Sequence, residues 1–220
     1  MLWAIWLPLV VAAGLALYGK ISPRGYIYWI ENESHGLLEM SHWLMPLAAS
    51  LSAVRLLLLP EVRRQGALVA WLALAALGTF YVSGEEMSWG QHYFNWATPD
   101  GWRAVNDQGE TNVHNISSWF DQKPRTLLEV GVIVGGLVLP WLIALRPDLK
   151  SRPMAVIIPP LSCFPAALLA ELSALSERTV NWFGGKTYLF HRTSEVQEFY
   201  FYYFALLYLI VLRRRLVGRQ

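Results

Sequence analysis

From Gly66 to Val82 the chain reads GALVAWLALAALGTFYV, without one charged residue. Such a run has few places to go. A helix crossing about 30 Å of hydrocarbon needs about 20 mostly apolar residues, and a helix satisfies its own backbone polar groups where no water can. Five further segments match this one, so spans are expected at roughly 1–18, 37–59, 66–84, 126–145, 154–175 and 196–212. The first lacks the basic leading region of a signal peptide and its apolar run is long enough to span, so it is expected to be retained as a span.

Composition supports lipid as the solvent. Only 15% of the 220 residues are charged, against about 25% in soluble domains. Eleven Trp and ten Tyr suit the headgroup region, where amphipathic rings are favoured. A formal charge of +2 gives no reason to expect nucleic acid as a partner. Cys163 stands alone, so no intrachain disulfide can form. With no internal repeat and no linker, residues 1–220 are expected to be a single all-α membrane domain. Gly131 and Gly135 form a small-xxx-small pair that predicts close helix packing in the fourth span.

Charge placement predicts direction. Arg55, Arg63, Arg64, Arg146, Lys150, Arg152, Arg213, Arg214, Arg215 and Arg219 gather on the side of the termini and short turns, ten of the 18 Lys and Arg. By the positive-inside bias, that side and both termini are expected to be cytoplasmic and the protein a multi-pass component of the inner membrane. Loops 19–36, 85–125 and 176–195 then lie outside. Of 16 Asp and Glu only Glu61 and Asp148 fall on the cytoplasmic side, and all five His fall on the other. The bias explains displaced acids but does not gather histidines.

Several outer elements repeat one spacing. His35, Glu39 and His42 sit at i, i+4 and i+7, which is one helix face. His191, Glu195 and Glu198 repeat it, Glu110 and His114 are again i and i+4, and Glu85 and His92 are i and i+7, with Glu86 about 100° round the helix. Imidazoles and carboxylates converging from several helices suit zinc or another transition metal. Glu39-x-x-His42 also matches the Glu-x-x-His unit of di-iron bundles. A single pair of this kind is more often a surface hydrogen bond. Glu39, His42, Glu171 and Glu198 are stronger candidates, because they fall within or beside apolar spans, where an ionisable group is costly without a partner or cavity. The segment 85–125, with Trp89, Trp96, Trp102 and Trp119, is expected to be an ordered lid on the outer face.

The run Glu85-Glu86-x-Ser88-Trp89-Gly90-Gln91, followed by Asn106-x-Gln108-x-Glu110-x-Asn112-x-His114-Asn115, resembles a signature of uncharacterised multi-pass bacterial membrane proteins. A fainter similarity is to CAAX-type glutamate intramembrane proteases, with Gly90 where that family carries arginine. That resemblance implies Glu85 and Glu86 as water activators and His114 or His191 as a transition-state partner.

The expected function is a membrane-embedded hydrolase acting on a lipid or lipid-linked substrate at the outer leaflet. Glu85, Glu86 and His114 are the catalytic candidates. Gln91, Asn112, Asn115 and Trp89 are candidates for substrate binding, and His42, Glu39, Glu110, His191 and Glu195 for metal. The water would be activated by a metal or by a carboxylate alone; the sequence leaves the cofactor open, with zinc ahead of di-iron or di-manganese. Two other functions compete: a di-metal oxidoreductase, and a transporter or accessory subunit in an oligomer or larger membrane complex, since clustered intramembrane acids also make proton paths.

Overall fold

Proline opens several of the helices of this chain. The computed structural model describes residues 2–32, 35–106, 108–113, 116–184, 190 and 192–218. Among them there is no strand. The α-helices are α1 (Trp3–Ile21), α2 (Pro23–Trp29), α3 (Leu37–Leu57), α4 (Pro60–Arg63), α5 (Gly66–Glu86), α6 (Gln91–Phe94), α7 (Asp100–Arg103), α8 (Ser118–Val132), α9 (Leu139–Leu145), α10 (Phe164–Phe183) and α11 (Thr193–Val217). Pro23 and Pro60 stand at first helical positions, where the missing N–H costs nothing.

Among the described residues, five helical segments are long and apolar enough to cross a membrane: Trp3–Ile21, Gly66–Glu86, Lys123–Leu145, Met154–Phe183 and Thr193–Val217. The expected span at 37–59 is a 21-residue helix, α3, but it is not among these five. It carries Glu39, His42 and Arg55, and these polar residues lower its hydropathy. The expected span at 154–175 falls within the candidate Met154–Phe183, but its winding is not α-helical throughout. Pro153, Pro159 and Pro160 withhold backbone donors, so residues 153–163 form 3₁₀ turns joined by extended chain, and α10 starts at Phe164.

α11 is the central helix. Its apolar window is 67% buried, against 17% to 39% in the other four. One side packs with α10 and α1 around Tyr200, Phe201 and Ala170; the other meets α3 and α5 around Leu212, Leu56 and Leu72. Lipid tails are as apolar as leucine, so close packing and hydrogen bonds between helices must hold the bundle. Ser50 Oγ donates to the Ala76 carbonyl at 2.9 Å, Ser83 Oγ to the Trp43 carbonyl at 2.9 Å, and Tyr200 Oη to the Pro8 carbonyl at 2.9 Å.

Gly131 and Gly135 do not make the close contact their spacing suggests. A Cβ at Gly131 would meet nothing, and one at Gly135 would lie 4.0 Å from Pro159. Gly136 is the packing glycine, because a Cβ there would collide with Ala167 and the Phe204 ring. The cause is a π-helical segment at Ile133–Val138, which shifts the helix phase by one residue. It ends just before Pro140, whose ring opposes an ordinary bond to the Gly136 carbonyl.

Candidate functional site

Three helix ends meet on one side of the bundle: the start of α3, the end of α5 and the start of α11. In the middle lies His42, 1% exposed. Its Nε2–H donates to the main-chain carbonyl of Glu195 at 3.0 Å. A carbonyl can only accept, so that ring nitrogen carries a proton. Nδ1 then faces Glu195 Oε2 at 3.6 Å and Glu86 Oε2 at 3.9 Å. A backbone carbonyl holding one nitrogen so that the other presents a lone pair is the usual support of a metal-binding histidine.

Two sets of three potential ligands share this ring. Glu39, His42 and Glu195 form one, and His42, Glu86 and Glu198 the other, with the ligand atoms of each set within 4.8 Å of one another. Glu39-x-x-His42 on α3 and Glu195-x-x-Glu198 on α11 put paired groups on one face of each helix. Glu86 enters from the end of α5, and Tyr202 Oη donates to its Oε1 at 2.7 Å.

Two arginines border the carboxylates. Arg192 reaches Glu39 Oε1 at 3.2 Å and Glu195 Oε1 at 2.9 Å. It adopts a left-handed backbone, φ 40°, unusual for a side chain of this size, at the entry to α11. Arg125 of α8 pairs with Glu198 Oε1 at 3.0 Å and donates to Gln197 Oε1 at 2.9 Å. Four carboxylates and two guanidiniums thus surround the His42 ring.

A cavity of about 520 Å³ opens over this cluster, lined by Glu39, Glu86, Glu195 and Glu198 below and by Trp43, Tyr93 and Asn95 among others. Trp43 borders it, and its buried indole N–H has no hydrogen-bond partner among the described residues.

The adjacent carboxylates Glu85 and Glu86 have separate tasks. Glu85 turns away from His42: its Oε1 accepts from Trp89 Nε1 at 2.7 Å and its Oε2 from the Val113 backbone N–H at 2.7 Å. Glu85 and His92 do not share a helix face as their spacing suggests. Positive φ at Ser88, Trp89 and Gly90 ends the helix between them, with Gly90 at φ 104°. His92 instead meets Glu110, Nε2 to Oε1 at 2.9 Å, while Ser88 Oγ donates to Glu110 Oε2 at 2.6 Å. Ser88 and Glu110 lie against the same nitrogen of His92, so the trio is not a nucleophile relay, which needs one partner on each nitrogen. Burial works to raise the Glu110 pKa, but donors at Ser88, His92 and Asn112 and the His92 charge outweigh it and hold it below the ordinary value.

Glu110 thus lines the same cavity but belongs to a different network from His42. Gln91 is occupied in holding its own segment together, donating to Thr98 Oγ1 at 2.7 Å and accepting from Thr111 N at 2.8 Å. Asn112 donates to Ser88 Oγ at 2.9 Å and borders the cavity, and Trp89 packs beside Phe80 and Tyr81. His114, Asn115 and His191 lie outside the described residues. His35 precedes α3 and packs on Tyr28 at 5.0 Å, apart from Glu39 and His42. Sequence spacing did not select Arg125, Arg192, Tyr202 or Trp43 for the site. Only the pairing of Arg192 with Glu195, at i and i+3, had a local signal.

Comparison of the chain with protein-family profiles, curated proteins and solved structures finds no match in any of the three.

Proposed function

We propose that the protein is a multi-pass inner-membrane hydrolase acting on a lipid or lipid-linked substrate at the outer leaflet, with one divalent cation, zinc by preference, at His42. The observation that carries this reading is the convergence of four carboxylates on an oriented, buried imidazole beneath a 520 Å³ cavity. In this reading α3 is a sixth span, both termini are cytoplasmic and residues 87–117 form a lid. The ring lone pair and the carboxylates of Glu39 and Glu195 would hold the ion, which would supply a water acidic enough to ionise near neutral pH. Glu86 is placed to take the proton of that water, and Tyr202 orients its carboxylate through Oε1. Trp43 and Asn112 line the space where a substrate would lie.

A second reading, a di-metal oxidoreductase, draws on the four carboxylates gathered around His42. Without bound metal, the buried acids would instead serve proton transfer in a transporter or in an accessory subunit of a larger complex.

Elemental analysis of protein purified in mild detergent tests all three, alongside His42→Ala and Glu86→Gln. The hydrolase reading expects about one equivalent of zinc, lost with His42, and release of headgroups or acyl chains from a lipid extract that falls at least ~100-fold in Glu86→Gln. Two equivalents of iron or manganese would favour the oxidoreductase. A folded, metal-free protein without hydrolysis would sink both metal readings.

A further inference from the structure

At the opposite end of α11 from Glu195 lies a second cavity, of about 410 Å³, lined by Ser52 and Arg55 of α3 and by Leu209, Ile210, Arg213 and Arg214 of α11, among others. We propose that it binds one anionic phospholipid, its phosphate on Arg55 and Arg213 and an acyl chain along Leu209 and Ile210. The site is separate from the metal centre, and it rests only on these helices crossing the membrane.

The arginines of this end differ in what they do. Arg215 is structural: its guanidinium donates to the main-chain carbonyls of Val156 and Ile158, tying α11 to the 3₁₀ segment. Arg214 stacks over Trp3 of α1 at 5.7 Å. Arg55 and Arg213 have no hydrogen-bond or ion-pair partner among the described residues, and both are exposed. Two guanidiniums from different helices converge on one cavity with a third beside them. That is more positive charge than the end of one helix needs to balance its dipole, equivalent to about half a charge.

The walls identify the occupant. A soluble anion would be bound by charge alone, whereas this cavity joins the arginines to leucine and isoleucine side chains. Guanidinium groups match phosphate with two parallel donors, and basic pockets between membrane helices on the cytoplasmic side are suited to anionic headgroups. A headgroup at the arginines with a chain running along the helices meets both kinds of wall.

Native mass spectrometry and thermal unfolding of the full chain in a neutral detergent test the proposal, with dioctanoyl phosphatidylglycerol, dioctanoyl phosphatidylcholine and inorganic phosphate added separately. The expected result is a one-to-one phosphatidylglycerol adduct and a raised melting temperature, with phosphatidylcholine binding at least roughly tenfold more weakly. The Arg55→Gln/Arg213→Gln variant should lose that preference, and Arg55→Lys/Arg213→Lys should keep part of it. Equal binding of both lipids by the wild type would overturn the proposal without recourse to any variant. So would inorganic phosphate binding as tightly as the lipid, a protein dimer forming in place of the adduct, or full retention of the preference by the glutamine variant.

Discussion

At the scale of single residues, the pair Glu85–Glu86 shows how adjacent, chemically identical side chains acquire different roles. The helix turns about 100° between them, so one carboxylate reaches Val113 and Trp89 while the other reaches His42 and Tyr202. Glu85→Ala should therefore remove the acceptor of two donors and destabilise the protein by about 1–3 kcal/mol, with bound metal retained whenever the protein is folded. Glu86→Gln should instead keep its bound metal and the melting temperature of the metal-free form while losing hydrolysis, read as release of headgroups or acyl chains. Metal content and thermal unfolding measured on both variants check the pair. Glu110 gives a pH dependence. Its folded pKa lies below its ordinary value of 4.5, so its ionised form contributes stability that is complete above 4.5 and is lost as pH falls from there through the folded value. Limited proteolysis of the 87–117 segment should accelerate as the pH drops below about 4.5 in wild type. Glu110→Gln should be cut readily at neutral pH and show a flatter profile.

At the scale of elements, the phase of a helix matters more than its composition. Glu39, His42, Glu195 and Glu198 were legible in the sequence because an acid or imidazole beside an apolar run is conspicuous, and both pairs lie on continuous helix, where spacing gives direction. Glu110 was not legible in this way. Its neighbours Ser88 and His92 are 22 and 18 residues away, and the segment joining them is irregular, so a spacing of four to His114 says nothing about its partners. Gly136 was hidden for a related reason: small-xxx-small spacing assumes regular α-helix, and the π-helical segment breaks that assumption. Gly136→Val should cost about 1–3 kcal/mol by wedging this helix from α10 and α11. Gly131→Ala, which meets nothing, should be neutral or slightly stabilising. Unfolding of the two variants in detergent distinguishes them.

For the whole molecule, the apolar runs foretold an all-helical membrane protein, while the order of helices around α11 depended on contacts no local pattern carries. Because the proposed ion would join α3 and α11, its removal should loosen the bundle beyond the site itself. Chelation should lower the melting temperature of wild type in proportion to the logarithm of free metal, by up to roughly 4 kcal/mol of binding linkage at a thousandfold excess over the dissociation constant. His42→Ala should not respond. The Ile133–Val138 segment has one more consequence, for how freely the chain can change length. A π turn is an α-helix that has absorbed one additional residue. Deleting exposed Val134 should return the helix to regular winding and leave Arg125 aimed at Glu198. Deleting Leu128 instead should swing Arg125 about 100° away from it, a difference that the melting temperatures of the two variants would reveal. Among all positions of that long helix, tolerance of insertion and deletion is thus concentrated in a single turn.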